Sequence, residues 1–205
     1  MDTVHKDDRE ARYLKIVRQY QPDEVQRFPK MLGELMRSLA GSFHDALGAI
    51  FMALDLGNHQ KGQFFTPYSI AYMMAAMTLN DAQSIIDRQS FLTLYEPAVG
   101  GGAMVIAAAH ALQEQGFDYH TAMHVTAQDI DATAVHMSYI QLAILDIPAI
   151  VLHGNALIDA PPQDWWVTPA HVLGGWNQKL ASCRALSNAP QPANAVLPVE
   201  QLSLF

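Results

Sequence analysis

"YEPAVGGGAMVIAAAHAL", residues 95–112, places three consecutive glycines between an apolar run and a run of strong helix formers. Glycine loses more conformational freedom on folding than any other residue, so three together require a local structural reason. A sharp turn from strand into helix is one such reason, and a backbone that a ligand touches is another. The stretch therefore predicts a strand, a glycine loop and a helix, with Glu96 beside the loop.

The segments around this unit continue the same alternation. "FLTLY" (91–95) predicts the first buried strand, and a helix is expected over about 102–115. "HVTAQDI" (124–130) predicts a second strand, a helix follows over about 132–145, and "IPAIVLHGNAL" (147–157) contains a third strand. Alternating strands and helices at this spacing predict an α/β fold with a parallel sheet and right-handed crossovers.

The regions on either side of the sheet have different compositions. Apolar periodicity predicts helices over 5–20 and 30–55, the latter hinged near Gly41, and Thr66 with Pro67 predicts the start of a helix reaching about Leu79. The chain is thus expected to comprise a helical N-terminal region (1–60), an α/β domain (61–160), a Trp/Pro-rich extension without a clear strand (161–185) and a flexible tail (186–205).

Composition and charge restrict the classes of function. The single cysteine, Cys183, excludes a disulfide framework, and the charged N-terminus and interrupted apolar runs predict a cytoplasmic protein without a signal peptide or membrane span. The net charge of −8 divides into +1 for residues 1–37 and −9 for residues 38–205. DNA binding normally requires clustered Lys and Arg, so DNA would need another chain or the N-terminal helices.

Candidate ligand-binding residues follow the three predicted strands. Ligands of open parallel sheets bind at the carboxyl ends of the strands, where Gly100–Gly102, Asp129 and Asn155 are expected. An acid at the Asp129 position commonly accepts hydrogen bonds from ribose, and an amide at Asn155 suits an adenine edge. Alternatively, the glycines only form a turn, Asp129 caps a helix in place of Asp131, and Asn155 belongs to an ordinary turn. NAD is disfavoured because Val105 stands where the dinucleotide motif requires glycine.

Four segments carry a recognisable pattern in order: "GQFFTPYSIAYMM" (62–74), "EPAVGGGAM" (96–104), "AQDIDATAVHMSYIQLAI" (127–144) and "GNAL" (154–157). They resemble the cofactor motifs of N6-adenine DNA methyltransferases, in particular modification subunits of type I restriction systems. The resemblance covers about residues 43–157. It implies a Rossmann-like methyltransferase fold over 61–160, S-adenosylmethionine as the cofactor, and a specificity or methylase subunit as a partner.

The resemblance also implies individual roles. Phe65 and Thr66 would flank the methionine end of the cofactor, Asp129 would hold the ribose, Ile130 would pack on the adenine, and Asn155 would meet the adenine edge. Many relatives carry Asp where Asn155 stands. The implied cofactor-binding residues are Phe65, Thr66, Glu96, Pro97, Gly100, Gly102, Asp129, Ile130 and Asn155.

The sequence lacks the family's catalytic tetrapeptide, in which Asn or Asp precedes two prolines and an aromatic residue. The nearest string, "DAPPQ" (159–163), has Ala160 in place of the acceptor and Gln163 in place of the aromatic. No catalytic residue and no metal ligand is predicted. His171 and Trp176 could lie over the mouth of the site, but a lone histidine beside apolar residues favours a structural role, and His171 is not assigned to catalysis. We expect an incomplete sheet and little or no methylation by the chain alone.

The segment "QLSLF" resembles the short peptide by which bacterial replication and repair proteins bind the sliding clamp. Leu204 and Phe205 would be apolar anchors and Gln201 a polar contact, with Leu202 and Ser203 between them. Alternatively, the segment folds back onto the protein itself. Three hypotheses follow: a cofactor-binding domain of the N6-adenine methyltransferase type, an interaction protein that docks on the sliding clamp, and a small-molecule methyltransferase.

Overall fold

The computed structural model describes residues 6–54, 65–188 and 201–203, and the chain divides into two units, Met1–Ala40 and Gly41–Phe205. The first unit is helical in its described part. Gln21 and Glu24 form a capping box at the start of its short middle helix. Leu35 and Leu39 are buried, whereas Met31 on the same helix is exposed. The helices are α1 (Lys6–Val17), α2 (Pro22–Val25) and α3 (Arg27–Leu39).

The described residues of the second unit contain a five-stranded sheet of order β4-β3-β2-β1-β5. All neighbouring strands pair in parallel except β3 and β4, which are antiparallel. The parallel register joins Glu96 to Ala127 and Asp129 to His153, so the carboxyl ends of β1, β2 and β3 share one edge. The strands are β1 (Leu92–Glu96), β2 (Met123–Asp129), β3 (Ala149–His153), β4 (Asp164–Val167) and β5 (Gln201–Ser203).

Helices cover the sheet and supply most of the core. The helix after β1 packs against β2 and against the helix over Tyr68–Thr78, so its residues from Ala103 to Ala109 are all buried. Being covered on several sides explains its nearly uniform apolar sequence. The helices are α4 (Ala46–Ala53), α5 (Tyr68–Thr78), α6 (Ala82–Gln89), α7 (Ala103–Glu114), α8 (Tyr119–Ala122), α9 (Ala132–Ile144), α10 (Pro169–Leu173) and α11 (Trp176–Asn188).

The predicted α/β alternation is confirmed, since β1, α7, β2, α9 and β3 lie within one or two residues of their expected positions. Leu92 and Leu94 of β1, with Val125 of β2 and Val151 of β3, form the buried centre of the sheet. Asp131 caps α9 as expected, accepting hydrogen bonds from the following backbone N–H groups.

Three features differ from the sequence expectations. The Trp/Pro-rich extension contains a strand, β4, because Trp165 and Trp166 pair with the outer edge of β3. The range expected to be only a flexible tail includes the end of α11 and the strand β5. Pro67, rather than Thr66, is the N-cap of α5 and supplies no side-chain bond. Among the described residues, no helix has the length and apolarity needed to cross a membrane.

Candidate functional site

The loop between β1 and α7 needs all three of its glycines, two for their backbone angles and one for close packing. Gly100 and Gly102 have φ angles of +54° and +108°, a region that side chains strongly disfavour. Gly101 has no such angle, but a Cβ atom there would lie 2.6 Å from the carboxylate of Asp45. The turn and its packing therefore account for the glycines, and ligand binding must be argued from the groups around them.

Glu96, at the end of β1, is fully buried and incompletely hydrogen-bonded. Its Oε1 accepts a bond from the backbone N–H of Ala98 at 3.0 Å, whereas Oε2 has no partner among the described residues. Burial, opposed by the hydrogen bond from Ala98 and assisted by the nearby Asp129, raises the pKa of Glu96 to about 7. An unpartnered buried carboxyl oxygen is costly in a folded protein and is a common feature of ligand sites.

Asp129, at the end of β2, connects the second strand to the glycine loop. Its Oδ2 accepts from the N–H of Gly100 at 2.9 Å, and its Oδ1 accepts from the N–H of Asp131 at 2.9 Å. The residue is half-buried. A carboxylate has about four acceptor positions, so both oxygens retain capacity for donors from a ligand.

The third strand joins the same edge through the backbone. Gly154 donates its N–H to the carbonyl of Asp129 at 2.9 Å. The Oδ1 of Asn155 accepts from the N–H of Leu157 at 2.9 Å, so this side chain closes a local turn. Ile130 follows Asp129 and is 64% exposed, leaving an apolar surface beside the carboxylate.

Phe65 lies directly against the glycine loop. Its ring would be 3.0 Å from a Cβ atom at Gly100, and it stacks on Phe51 of α4 with centroids 5.2 Å apart. Thr66 follows Phe65 and Pro97 follows Glu96; both are half-buried. The structure therefore gathers Phe65 and Gly100 around Asp129, and Asp129 is close enough to Glu96 to raise its pKa. Asn155 lies one residue beyond Gly154, which bonds to the carbonyl of Asp129.

The sequence patterns did not identify the two residues, Asp45 and Gln141, that hold the glycine loop against α4 and α9. Asp45, before the apolar run of α4, carries an N-cap signal, but nothing in the sequence indicates that it contacts Gly101. Gln141 lies within α9 and is fully buried, although glutamine usually faces solvent. The only sequence signal for Gln141 was its position, as a polar residue, on the buried face of a predicted helix.

His171 and Trp176 lie at the opposite, amino edge of the sheet. His171 is buried, and its Nδ1 is 2.8 Å from the Nε2 of His124 in β2. Trp176 contacts Phe91, just before β1, in an edge-to-face arrangement. These residues are therefore separated from the glycine loop by the length of the strands. The described residues contain no group of three or more His, Cys, Asp or Glu side chains arranged to hold a metal ion.

The fold and these contacts define an α/β domain with a candidate ligand site at the carboxyl edge of its parallel strands. The sequence profile of the N-6 DNA Methylase family matches residues 50–172. This match spans more than half of the chain and includes β1, β2, β3 and the glycine loop. The chain belongs to the N-6 DNA Methylase family.

Two solved structures are similar to this chain at low sequence identity. A methyltransferase subunit of a type I restriction-modification system from Streptococcus thermophilus has 18% identity and a TM-score of 0.39, over 49% of this chain and 20% of that one. A putative class I S-adenosylmethionine-dependent methyltransferase from Listeria monocytogenes has 17% identity and a TM-score of 0.43, over 63% and 35%. The chain thus spans about a fifth and a third of these structures. No curated protein matches it.

Proposed function

We propose that the chain is an S-adenosylmethionine-binding domain of the N6-adenine DNA methyltransferase type. The observation that carries this proposal is the buried Oε2 of Glu96, which has no partner among the described residues and lies beside the glycine loop. Membership of the N-6 DNA Methylase family supports the same ligand class. The restriction-system subunit from Streptococcus thermophilus suggests a partner subunit and DNA as the larger context.

The residues at this edge fit the chemistry of the cofactor. S-adenosylmethionine presents an ammonium group and two ribose hydroxyls, all hydrogen-bond donors, and it carries a positive sulfonium. Glu96 and Asp129 offer acceptor oxygens with negative charge, and the exposed Ile130 offers apolar surface to an adenine ring. The cofactor would supply the electrophilic methyl group, while this chain's residues bind and orient it.

We propose that the chain alone transfers little or no methyl group to DNA. The "DAPPQ" segment (159–163) connects β3 to β4 at the carboxyl edge, but the side chain of Ala160 cannot accept amino hydrogens and Gln163 has no aromatic ring to stack on a base. The charge of −9 over residues 38–205 opposes contact with phosphates. A partner subunit would therefore supply the DNA contacts and the base-binding groups, in the cytoplasm that the single cysteine favours.

Isothermal titration calorimetry of the full chain with S-adenosylmethionine tests the cofactor proposal. We expect one site with micromolar affinity, about 8 kcal/mol, and no binding of NAD as a matched nucleotide control. Absence of binding would refute the proposal. A methyl-transfer assay with DNA and with small-molecule acceptors tests the second part: robust transfer to DNA by the chain alone contradicts it, and transfer to small molecules only favours a metabolite methyltransferase.

We propose clamp docking as a second function, on the observation that residues 201–205 resemble a clamp-binding peptide. Leu204 and Phe205 lie outside the described residues. Gln201–Ser203 pair with Thr93–Tyr95 of β1, so a clamp would compete with the protein's own sheet for this segment. Deleting residues 201–205 should abolish binding to a purified sliding clamp, whereas unchanged affinity would eliminate this function.

A further inference from the structure

The carboxylate of Asp45 occupies a space that two glycines leave free. Asp45 is only 6% exposed and lies just before α4, where its Oδ1 accepts from the N–H of Gly48 at 2.8 Å. A Cβ atom at Gly48 would overlap the carboxylate, and one at Gly101 would be 2.6 Å from its Oδ2. The N-terminus of α4 therefore approaches the middle of the glycine loop as closely as a carboxylate allows.

Gln141 of α9 completes the contact between α4 and the loop. Its Nε2 donates to the Oδ1 of Asp45 at 2.7 Å and to the carbonyl of Gly101 at 2.7 Å. Its Oε1 accepts from the N–H of Leu47 at 3.0 Å. A fully buried amide whose two N–H groups and carbonyl are all bonded holds its partners in one arrangement.

A second contact, apolar in character, joins the same helix to the neighbouring glycine. Phe51 of α4 stacks on Phe65, and the ring of Phe65 lies against Gly100. The N–H of Gly100 in turn donates to Asp129. A displacement of α4 would therefore move two adjacent loop residues and the carboxylate assigned to the ribose.

We infer that Asp45 and Gln141 are positioning residues of the cofactor site. They fix the glycine loop against α4 and α9 so that the N–H of Gly100 stays aligned with Asp129. Neither side chain contacts the cofactor in this arrangement. The inference rests on the proposed function, because it assigns a role in holding S-adenosylmethionine.

A double-mutant cycle at the contact with Gly101 tests the inference. Asp45→Ala removes the acceptor shared by Gly48 and Gln141, and Gly101→Ala places a methyl group against the Asp45 carboxylate. Each change should weaken S-adenosylmethionine binding about tenfold, or 1.4 kcal/mol. Because Asp45→Ala also opens the space over Gly101, adding Gly101→Ala in that background should cost less than about twofold. Additive losses would overturn the inference.

Thr168→Val is the matched control. Thr168 is the fully buried N-cap of α10. Its hydroxyl bonds to Ile147 and Ala149 at the amino edge of the sheet. This variant should unfold at lower urea concentration yet bind S-adenosylmethionine within about twofold of wild type. If folded Asp45→Ala protein behaves in the same way, Asp45 is only a structural residue and the inference fails.

Conservative variants keep the test decisive if Asp45→Ala does not fold. Asp45→Asn retains an acceptor oxygen for Gly48 and Gln141 and should bind within about threefold of wild type. Gln141→Met removes the three bonds of the amide at similar volume and should weaken binding about tenfold. Equal affinities of the two folded variants would contradict the inference.

Failure of the proposed function can be distinguished from failure of the inference. If wild-type protein does not bind S-adenosylmethionine, the cofactor proposal falls, and hydrogen exchange then measures the loop directly. The loop amides of Val99 and Gly102, which bond to Gln128 and Val99, should exchange at least about tenfold faster in Gln141→Met than in wild type. The amide of Val125 within β2 should not change. Unchanged loop exchange overturns the inference.

Discussion

The two edges of the sheet bury polar groups in different ways. At the amino edge, His171 and His124 form a hydrogen-bonded chain that continues from His171 Nε2 to Asn177 Oδ1 at 3.0 Å. At the carboxyl edge, Glu96 keeps one oxygen without a partner among the described residues. At the amino edge the Nε1 of Trp176 also has no partner among the described residues, but it is a neutral donor on a ring that contacts Phe91 and Lys179. The comparison separates a closed structural network from an open acceptor site.

The largest loss of S-adenosylmethionine affinity is expected from Asp129→Ala at the carboxyl edge. It removes the carboxylate that we propose accepts from two ribose hydroxyls, and it removes the anchor of the Gly100 amide. Charge-assisted hydrogen bonds contribute about 1.5–3 kcal/mol each, so S-adenosylmethionine affinity should fall about a thousandfold, or 4 kcal/mol. Calorimetry with the folded variant measures this, and a loss below about tenfold would mean that the ligand does not use Asp129.

The pH dependence of folding stability should identify Glu96 as a buried ionising group. Its pKa is raised in the folded protein, so its contribution to stability is present below about pH 4.5 and is lost as pH rises through about 7. Glu96→Gln should therefore gain stability relative to wild type between these values, by roughly 3 kcal/mol. Urea unfolding across this range provides the measurement. Parallel stability curves for the two proteins would exclude a buried ionising Glu96.

Glu96→Gln should weaken the binding of S-adenosylmethionine although it stabilises the fold. The variant keeps an oxygen but loses the negative charge that we propose faces the cofactor's ammonium group, so affinity at pH 7.5 should fall about tenfold. A protein that is more stable and binds more weakly is the combination expected of a functional buried carboxyl. Unchanged affinity would assign Glu96 to the fold alone.

His124, at the amino edge, should produce the opposite dependence of folding stability on pH. Burial, with His171 adding to it, lowers the pKa of His124 to about 3, so stability is fully present above about pH 6.5 and is lost as pH falls toward 3. Wild type should lose about 2 kcal/mol of folding stability between pH 6.5 and pH 5, and His124→Gln should abolish this loss. Calorimetry should give an unchanged S-adenosylmethionine affinity at pH 7.5, and a weakened affinity would show that the two edges are coupled.

The smallest effect is expected from Asn155. Its Oδ1 already closes a turn with Leu157, so its contribution to binding an adenine edge is limited to its amide N–H groups. Asn155→Ala should weaken binding about threefold, or 0.6 kcal/mol, and Asn155→Asp, which keeps the turn, should separate the two roles. A loss of tenfold or more in both variants would make Asn155 a principal ligand contact.

The parts of the fold that the sequence predicted depend on local patterns. Leu92 and Leu94 alternate in a short apolar run, and glycines follow at once, so β1 and its loop could be located without knowing their neighbours. The bonds of Gln141 to Asp45 and Gly101 join residues 96 and 40 positions apart, and no local pattern indicates them. The short edge strands β4 and β5 escaped prediction because strand formation in such segments depends on the partner they pair with.

The pairing of Gln201–Ser203 with Thr93–Tyr95 also has a consequence for solubility. Any protein that captures this segment removes the outermost neighbour of β1, and the backbone amides and carbonyls along that side then lack their partners. Bare strand edges recruit other chains, so capture of the segment would leave β1 prone to edge-to-edge association.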